Sequence, residues 1–174
     1  MSDADPRTIR PAVFLDRDGV LNCDLGYVGE RARFEWLPGA QDGIRTANRR
    51  GALVFVVTNQ SGVARGFYDE AAVVRLHAEL ARDLEHVGAH VDDIRYCPHL
   101  PDAPLAAYRL SCGCRKPEPG MILALMRSWP VDPARSVLIG DKPSDMQAAE
   151  RAGIRGILYR GELLADLIAD ALER

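Results

Sequence analysis

Three apolar runs of strand length each end in a short polar motif, and this repeated arrangement constrains the fold more than any other feature of the chain. Pro11-Ala12-Val13-Phe14-Leu15 runs into Asp16-Arg17-Asp18-Gly19, the run from Ala52 to Val57 reaches Thr58-Asn59, and Ser136 to Ile139 reaches Gly140-Asp141-Lys142. A short, partly β-branched run closed by polar residues reads as a buried parallel strand, and open α/β sheets bind their ligands beyond the carboxyl ends of such strands. Helical signals fill the intervals. A helix is expected over about 40–50, closed by Gly51, and a longer one over 69–87, capped by Asp69, stopped by Gly88 and striped with Val73, Leu76, Leu80 and Leu84. Ile94 to Cys97 reads as a further strand, Pro117-Glu118-Pro119 opens a helix to about Trp129, Ser144 caps one to Ala152, and Ile154 to Tyr159 is a last strand before a short C-terminal helix. Alternating βα units predict an α/β three-layer, Rossmann-like sandwich on a parallel central sheet, in one domain spanning 1–174.

Composition excludes several classes. The chain has 174 residues, 47% apolar and 27% charged, with a net charge of −3 and no block of like charges, which argues against nucleic acid as a partner. The apolar runs are strand-sized, and Met1 to Arg10 is polar, so neither a membrane span nor a signal peptide is expected. A cytoplasmic monomer is the expectation, with a small molecule as its partner.

The three motifs, with Lys116-Pro117, supply the parts of a phosphoryl-transfer site. Transfer of a phosphoryl group is chiefly a matter of positioning and of neutralising charge on its oxygens. Asp16, at a strand end, is the candidate nucleophile, and Asp18 the acid that protonates the leaving oxygen and then accepts a proton from water. Gly19 permits the turn that holds both acids near one centre. Carboxylates repel a dianionic phosphate, so a hard cation is required, and Asp141 completes with Asp16 and Asp18 a site for Mg²⁺. Thr58 and amides near Asn59 can bind phosphoryl oxygens, and Lys116 can balance charge from the opposite side. Of the 22 basic residues only Lys116 and Lys142 are lysines, and both sit in motifs. A compact ammonium suits a point contact with one oxygen, where the planar guanidinium brings a different geometry.

Cys97-Pro98-His99 and Cys112-Gly113-Cys114 are separated by twelve residues. Three thiolates and an imidazole are the donor set of a closed, structural Zn²⁺ site. A metal would order an irregular stretch of about 17 residues that is long for a compact domain, and it would fix Arg115 and Lys116 relative to Asp16. Cys23 has no partner in this scheme. His77, His86 and His90 are expected on solvated faces, and Trp36 and Trp129 in packing roles.

The set of motifs resembles the haloacid dehalogenase superfamily of aspartyl-phosphate phosphatases. Within it, F-L-D-R-D-G-V-L-N, G-Y-V, V-T-N-Q-S-G-V-A-R-G, C-P-H, C-G-C-R-K-P-E-P-G-M and G-D-K-P-S-D-M-Q-A-A are similar to segments of the D-glycero-D-manno-heptose 1,7-bisphosphate 7-phosphatases, over about residues 11–153. The resemblance implies removal of a 7-phosphate in heptose precursor synthesis, with Thr58 and Lys116 stabilising the phosphoryl group. It also implies a substrate site lined by Asp24, Leu25, Gly26, Tyr27, Asn59, Gln60, Ser61, Arg115 and Lys142, with Asp145 steadying the Lys142 loop. Val20 stands where many superfamily members carry threonine. The interval from Asn22 to Gln41 leaves no room for a separate cap domain, so specificity falls to loops. Two competing readings are a histidinol-phosphate or other small phosphomonoester phosphatase, and a non-enzymatic zinc module, which would need a basic face.

Overall fold

A computed structural model of the chain describes residues 8–173. Its five strands are β1 (Ala12–Leu15), β2 (Leu53–Asn59), β3 (Asp93–Cys97), β4 (Val137–Gly140) and β5 (Arg155–Leu158). They form one parallel sheet in the order β3-β2-β1-β4-β5. The chain winds outward from β1 to β3 and then crosses to β4, so the strand order reverses between β1 and β4. Crevices at such a reversal are where doubly wound sheets bind ligands.

The apolar runs are buried on both faces, and the two-residue period sorts their side chains. Val13, Leu15, Val54, Val56, Val137 and Ile139 pack into one core with α1 (Ala40–Arg49) and α5 (Leu164–Glu173). Ala12, Phe14, Leu53, Phe55, Val57 and Leu138 pack into the other with α3 (Gly120–Ser128) and α4 (Pro143–Ala152). The long helix α2 (Glu70–His86) is capped as its sequence predicts, the Asp69 carboxylate accepting from Ala72 N at 2.7 Å.

Several expectations are corrected. Thr58 and Asn59 belong to β2 itself, in register with Tyr96 and Cys97, because β3 continues alongside and supplies ladder partners. The residue at the start of α4 is Lys142 and not Ser144; Asp145 reaches back to accept from Lys142 N at 3.0 Å. α3 begins at Gly120, after the two prolines, and β5 is trimmed to four residues. His77 is buried, at 7% exposure, whereas His86 and His90 are exposed as expected. Trp36 and Trp129 pack on the cores. Between Asn22 and the start of α1 there is only a 3₁₀ turn at Arg31–Arg33 and a bridge from Asn22 to Trp36, so this interval holds no cap domain. The polar segment before Thr8 lies outside the described residues.

Candidate active site

β1 delivers Asp16 to the reversal, where its amide donates to Ile139 O of β4 at 3.0 Å and the residue is 5% exposed. Lys116 is buried, and its ammonium lies 3.0 Å from Asp16 Oδ1 and 2.6 Å from Asp145 Oδ1, and donates to Val57 O at 2.8 Å. Two buried carboxylates therefore share one ammonium. Burial pushes the Asp16 carboxyl up to about 6 against the pull of Lys116, with Asp145 adding to the rise. Burial works to lower the Lys116 pKa, but Asp16 and Asp145 together raise it, so the ammonium stays charged. Lys116 is set by a reciprocal pair: Asn59 Nδ2 donates to Lys116 O and Lys116 N donates to Asn59 Oδ1, both at 3.0 Å. Asn59 thus spends its amide on placing the lysine.

Asp141 closes the group. One oxygen each from Asp16, Asp141 and Asp145 lies within 4.8 Å of the others, and Asp141 Oδ1 is buried without a hydrogen-bond partner. Burial raises the Asp141 carboxyl, and Lys142 only partly opposes it. An orphaned carboxylate oxygen in a site short of positive charge fits a hard divalent cation. Two glycines make room. A Cβ on Gly19, whose φ is +89°, would collide with the Asp141 carboxylate, and one on Gly140 would collide with Asp145. The Asp18 carboxylate does not join this cluster. It is turned to Arg17, Asn22 Nδ2 and Gln60 Nε2, and Asp145 stands in the acidic group instead.

A cleft of about 590 Å³ opens beside this group and reaches it at Lys116. Asp18, Asp24, Gly26, Tyr27, Asn59, Gln60, Ser61, Arg115, Lys116 and Lys142 line it, together with Pro117 and Ser144 of the same motifs and with Tyr68, which lies outside them. Leu25 faces a neighbouring depression beside Phe67. Thr58 is buried, its hydroxyl accepting from Gln60 Nε2 at 2.9 Å. At the rim, Lys142 Nζ meets Asp24 Oδ2 at 3.1 Å, and Arg115 donates to His99 O at 3.2 Å.

Behind Arg115, Cys97, His99, Cys112 and Cys114 converge within 4.8 Å. Their sulfurs are 3.0–3.4 Å apart, with His99 Nδ1 3.5 Å from Cys114 and 3.7 Å from Cys97. Burial disfavours the Cys112 thiolate, but contacts from Cys114, Cys97 and backbone amides outweigh it and bring the thiol down to about 7. Free thiols aimed at one centre fit a soft, tetrahedral metal ion. The loop has anchors of its own, since Tyr96 and Tyr108 both donate to Glu70, at 2.8 and 3.1 Å. Cys23 stands outside the group.

His77 and Arg17 were not singled out as site residues. His77 falls four residues after Val73 and seven before Leu84 on the apolar stripe, which is the signal that places it inside. Burial, with the Arg17 charge, brings its pKa from 6.5 down to about 3. The unfolded chain therefore binds more protons across that window, so stability is present above pH 6.5 and is lost as pH falls toward 3. We expect the wild type to lose about 2 kcal/mol relative to His77→Gln between pH 6.5 and 5, measured by denaturant unfolding at several pH values. Parallel pH profiles would contradict a buried, neutral His77.

Comparison with known proteins gives one family match and several close relatives. The Hydrolase_like family, described as HAD-hydrolase-like, matches residues 113–169. A D-glycero-beta-D-manno-heptose-1,7-bisphosphate 7-phosphatase of Rhodopseudomonas palustris is 51% identical over 162 residues, covering 93% of this chain and 89% of that protein. A crystal structure of a HAD-like phosphatase from Mesorhizobium loti superposes with a TM-score of 0.84 at 34% identity, covering 95% of this chain and 87% of that one. A D,D-heptose 1,7-bisphosphate phosphatase from B. bronchiseptica, complexed with magnesium and phosphate, gives 0.79 at 33% identity, covering 94% of this chain and 98% of that one.

Proposed function

Because this chain belongs to the family of heptose-1,7-bisphosphate 7-phosphatases within the HAD-like hydrolases, we propose that it removes the 7-phosphate of D-glycero-D-manno-heptose 1,7-bisphosphate through an aspartyl phosphate on Asp16. The observation that carries this reading is one cleft with cations at two places: Lys116 beside Asp16, and Arg115 with Lys142 at the rim. A substrate with a phosphate at each end can meet a cation at both places.

Asp16 attacks phosphorus, and the bond to the C7 oxygen breaks as Asp18 gives that oxygen a proton. Asp18 then takes a proton from water, which attacks the aspartyl phosphate, releasing phosphate and restoring the Asp16 carboxylate. Lys116 and Thr58 hold phosphoryl oxygens throughout. Mg²⁺ held by Asp16 and Asp141, with Asp18 and Asp145 flanking, would neutralise phosphoryl charge. Zn²⁺ held by Cys97, His99, Cys112 and Cys114 would keep the Arg115-Lys116 segment in place. Free thiol ligands suit a reducing compartment, and the proposed setting is the cytoplasm, with the chain acting as a monomer.

Arg115 tests the substrate. Its guanidinium keeps donors free beyond its bond to His99 O, enough for a bidentate contact with the distal phosphate. Arg115→Ala should cost about 2 kcal/mol in kcat/KM, roughly thirtyfold, on the bisphosphate while hardly changing a simple monophosphate. Equal losses on both would assign Arg115 to the reacting phosphate or to the fold, and would remove the residue-level support for a bisphosphate.

A further inference from the structure

Arg17 sits between the nucleophile and the acid/base residue, has no part in the steps above, and is 0% exposed. A guanidinium taken wholly out of water needs a full set of partners. Its Nε and Nη2 donate to Asp18 Oδ1 at 3.2 and 3.0 Å, and Nη2 also donates to Asp18 Oδ2 at 3.0 Å. Beyond Asp18 it donates to Val28 O at 2.5 Å and Gln60 Oε1 at 3.2 Å, and its Nη1 meets His77 Nε2 at 3.2 Å. Gln60 is in turn fixed by the Tyr68 hydroxyl at 2.8 Å. Both edges of the guanidinium are thus used, one on the Asp18 carboxylate and the other on the fold. Arg17 does not line the cleft, and most of its bonds to cleft residues go to Asp18, with one more to Gln60 Oε1.

We propose that Arg17, braced by His77, is the positioning residue that fixes the direction in which Asp18 presents its proton to the leaving oxygen. The proposal rests on Asp18 being the acid/base group. A sugar alkoxide leaves only with that proton, whereas p-nitrophenolate leaves readily without it, so a misdirected Asp18 costs rate on the first kind of ester and little on the second. An arginine that merely completed the fold would cost both alike.

The test is kcat/KM, which reports the steps through departure of the leaving group, for the Mg²⁺-loaded protein on the heptose bisphosphate and on p-nitrophenyl phosphate. Asp18→Asn is the reference and should lose about a hundredfold or more on the sugar ester and far less on the aryl ester. Arg17→Lys keeps the charge but not the fork, and should lose at least about tenfold on the sugar ester while staying within about threefold on the aryl ester. His77→Leu should show a weaker loss of the same kind, and His77→Gln, which keeps an acceptor for Nη1, should restore it. Equal losses of Arg17→Lys on both esters, with Asp18→Asn still discriminating, overturn the proposal and leave the acid/base assignment intact. No discrimination in Asp18→Asn removes that assignment and the proposal with it. If Arg17→Lys fails to fold, the His77 pair decides: equal rates for His77→Leu and His77→Gln on the sugar ester overturn the brace.

Discussion

Asp16→Asn is expected to abolish Mg²⁺-dependent phosphate release, a loss of about 10⁴-fold or more, while the protein stays folded. The substitution preserves size but replaces the anionic nucleophile with an inert amide and leaves only a neutral oxygen for the cation. The structure also says why the fold should survive. Lys116 keeps its 2.6 Å contact with Asp145 and its bond to Val57 O, so no charge is stranded. Asp16 is itself a costly buried carboxylate, pushed up to about 6 by desolvation, and an amide removes that cost along with repulsion from Asp145. Its thermal midpoint should therefore match or exceed that of the metal-free wild type. Turnover within about a hundredfold of wild type would rule out the covalent route.

The second large effect is on stability. Stripping the metal from the Cys97, His99, Cys112 and Cys114 cluster, or replacing Cys112 by Ser, should lower the thermal midpoint by roughly 10 °C. A structural metal is worth several kcal/mol of folding energy, and in a chain of this size each kcal/mol shifts the midpoint by about 2–4 °C. The loss should stay local at first, because Glu70 still ties down Tyr96 and Tyr108 when the metal is gone. Activity should then decline as Lys116, two residues beyond Cys114, loses its fixed distance to Asp16. Metal analysis should find about one zinc per chain. Zinc-free protein with an unchanged midpoint would contradict the reading.

The sheet was legible because its central strands are buried on both faces. Such strands appear as unbroken apolar runs, and a polar motif after each run marks its carboxyl end. The convergence of Asp16 with Asp141, and of Cys97, His99, Cys112 and Cys114, was legible for the same reason: these residues sit where a run stops or in tight Cys and His pairs. What escaped depends on pairing across distant segments. Arg17 looks like a surface cation in a chain with abundant arginine, and Val28, Gln60 and His77, from three other segments, join Asp18 in making its burial tolerable. His77 lies on the apolar stripe of α2, yet an imidazole there reads as solvated because the Arg17 that partners it lies 60 positions away. Ser144 is the better local cap, yet Asp145 caps α4 at Lys142 because the same carboxylate also binds Lys116. The β2 boundary shifted because ladder partners come from β3, which a local pattern does not contain.

The central claim is that Asp16 removes the phosphate on C7 while the distal phosphate stays attached. Phosphorus NMR of the bisphosphate incubated with enzyme and Mg²⁺ tests it most directly. The C7 phosphomonoester signal should convert to inorganic phosphate while the anomeric phosphate signal is retained, with no comparable turnover of histidinol phosphate. Loss of the anomeric phosphate first, or faster release from histidinol phosphate, would contradict it.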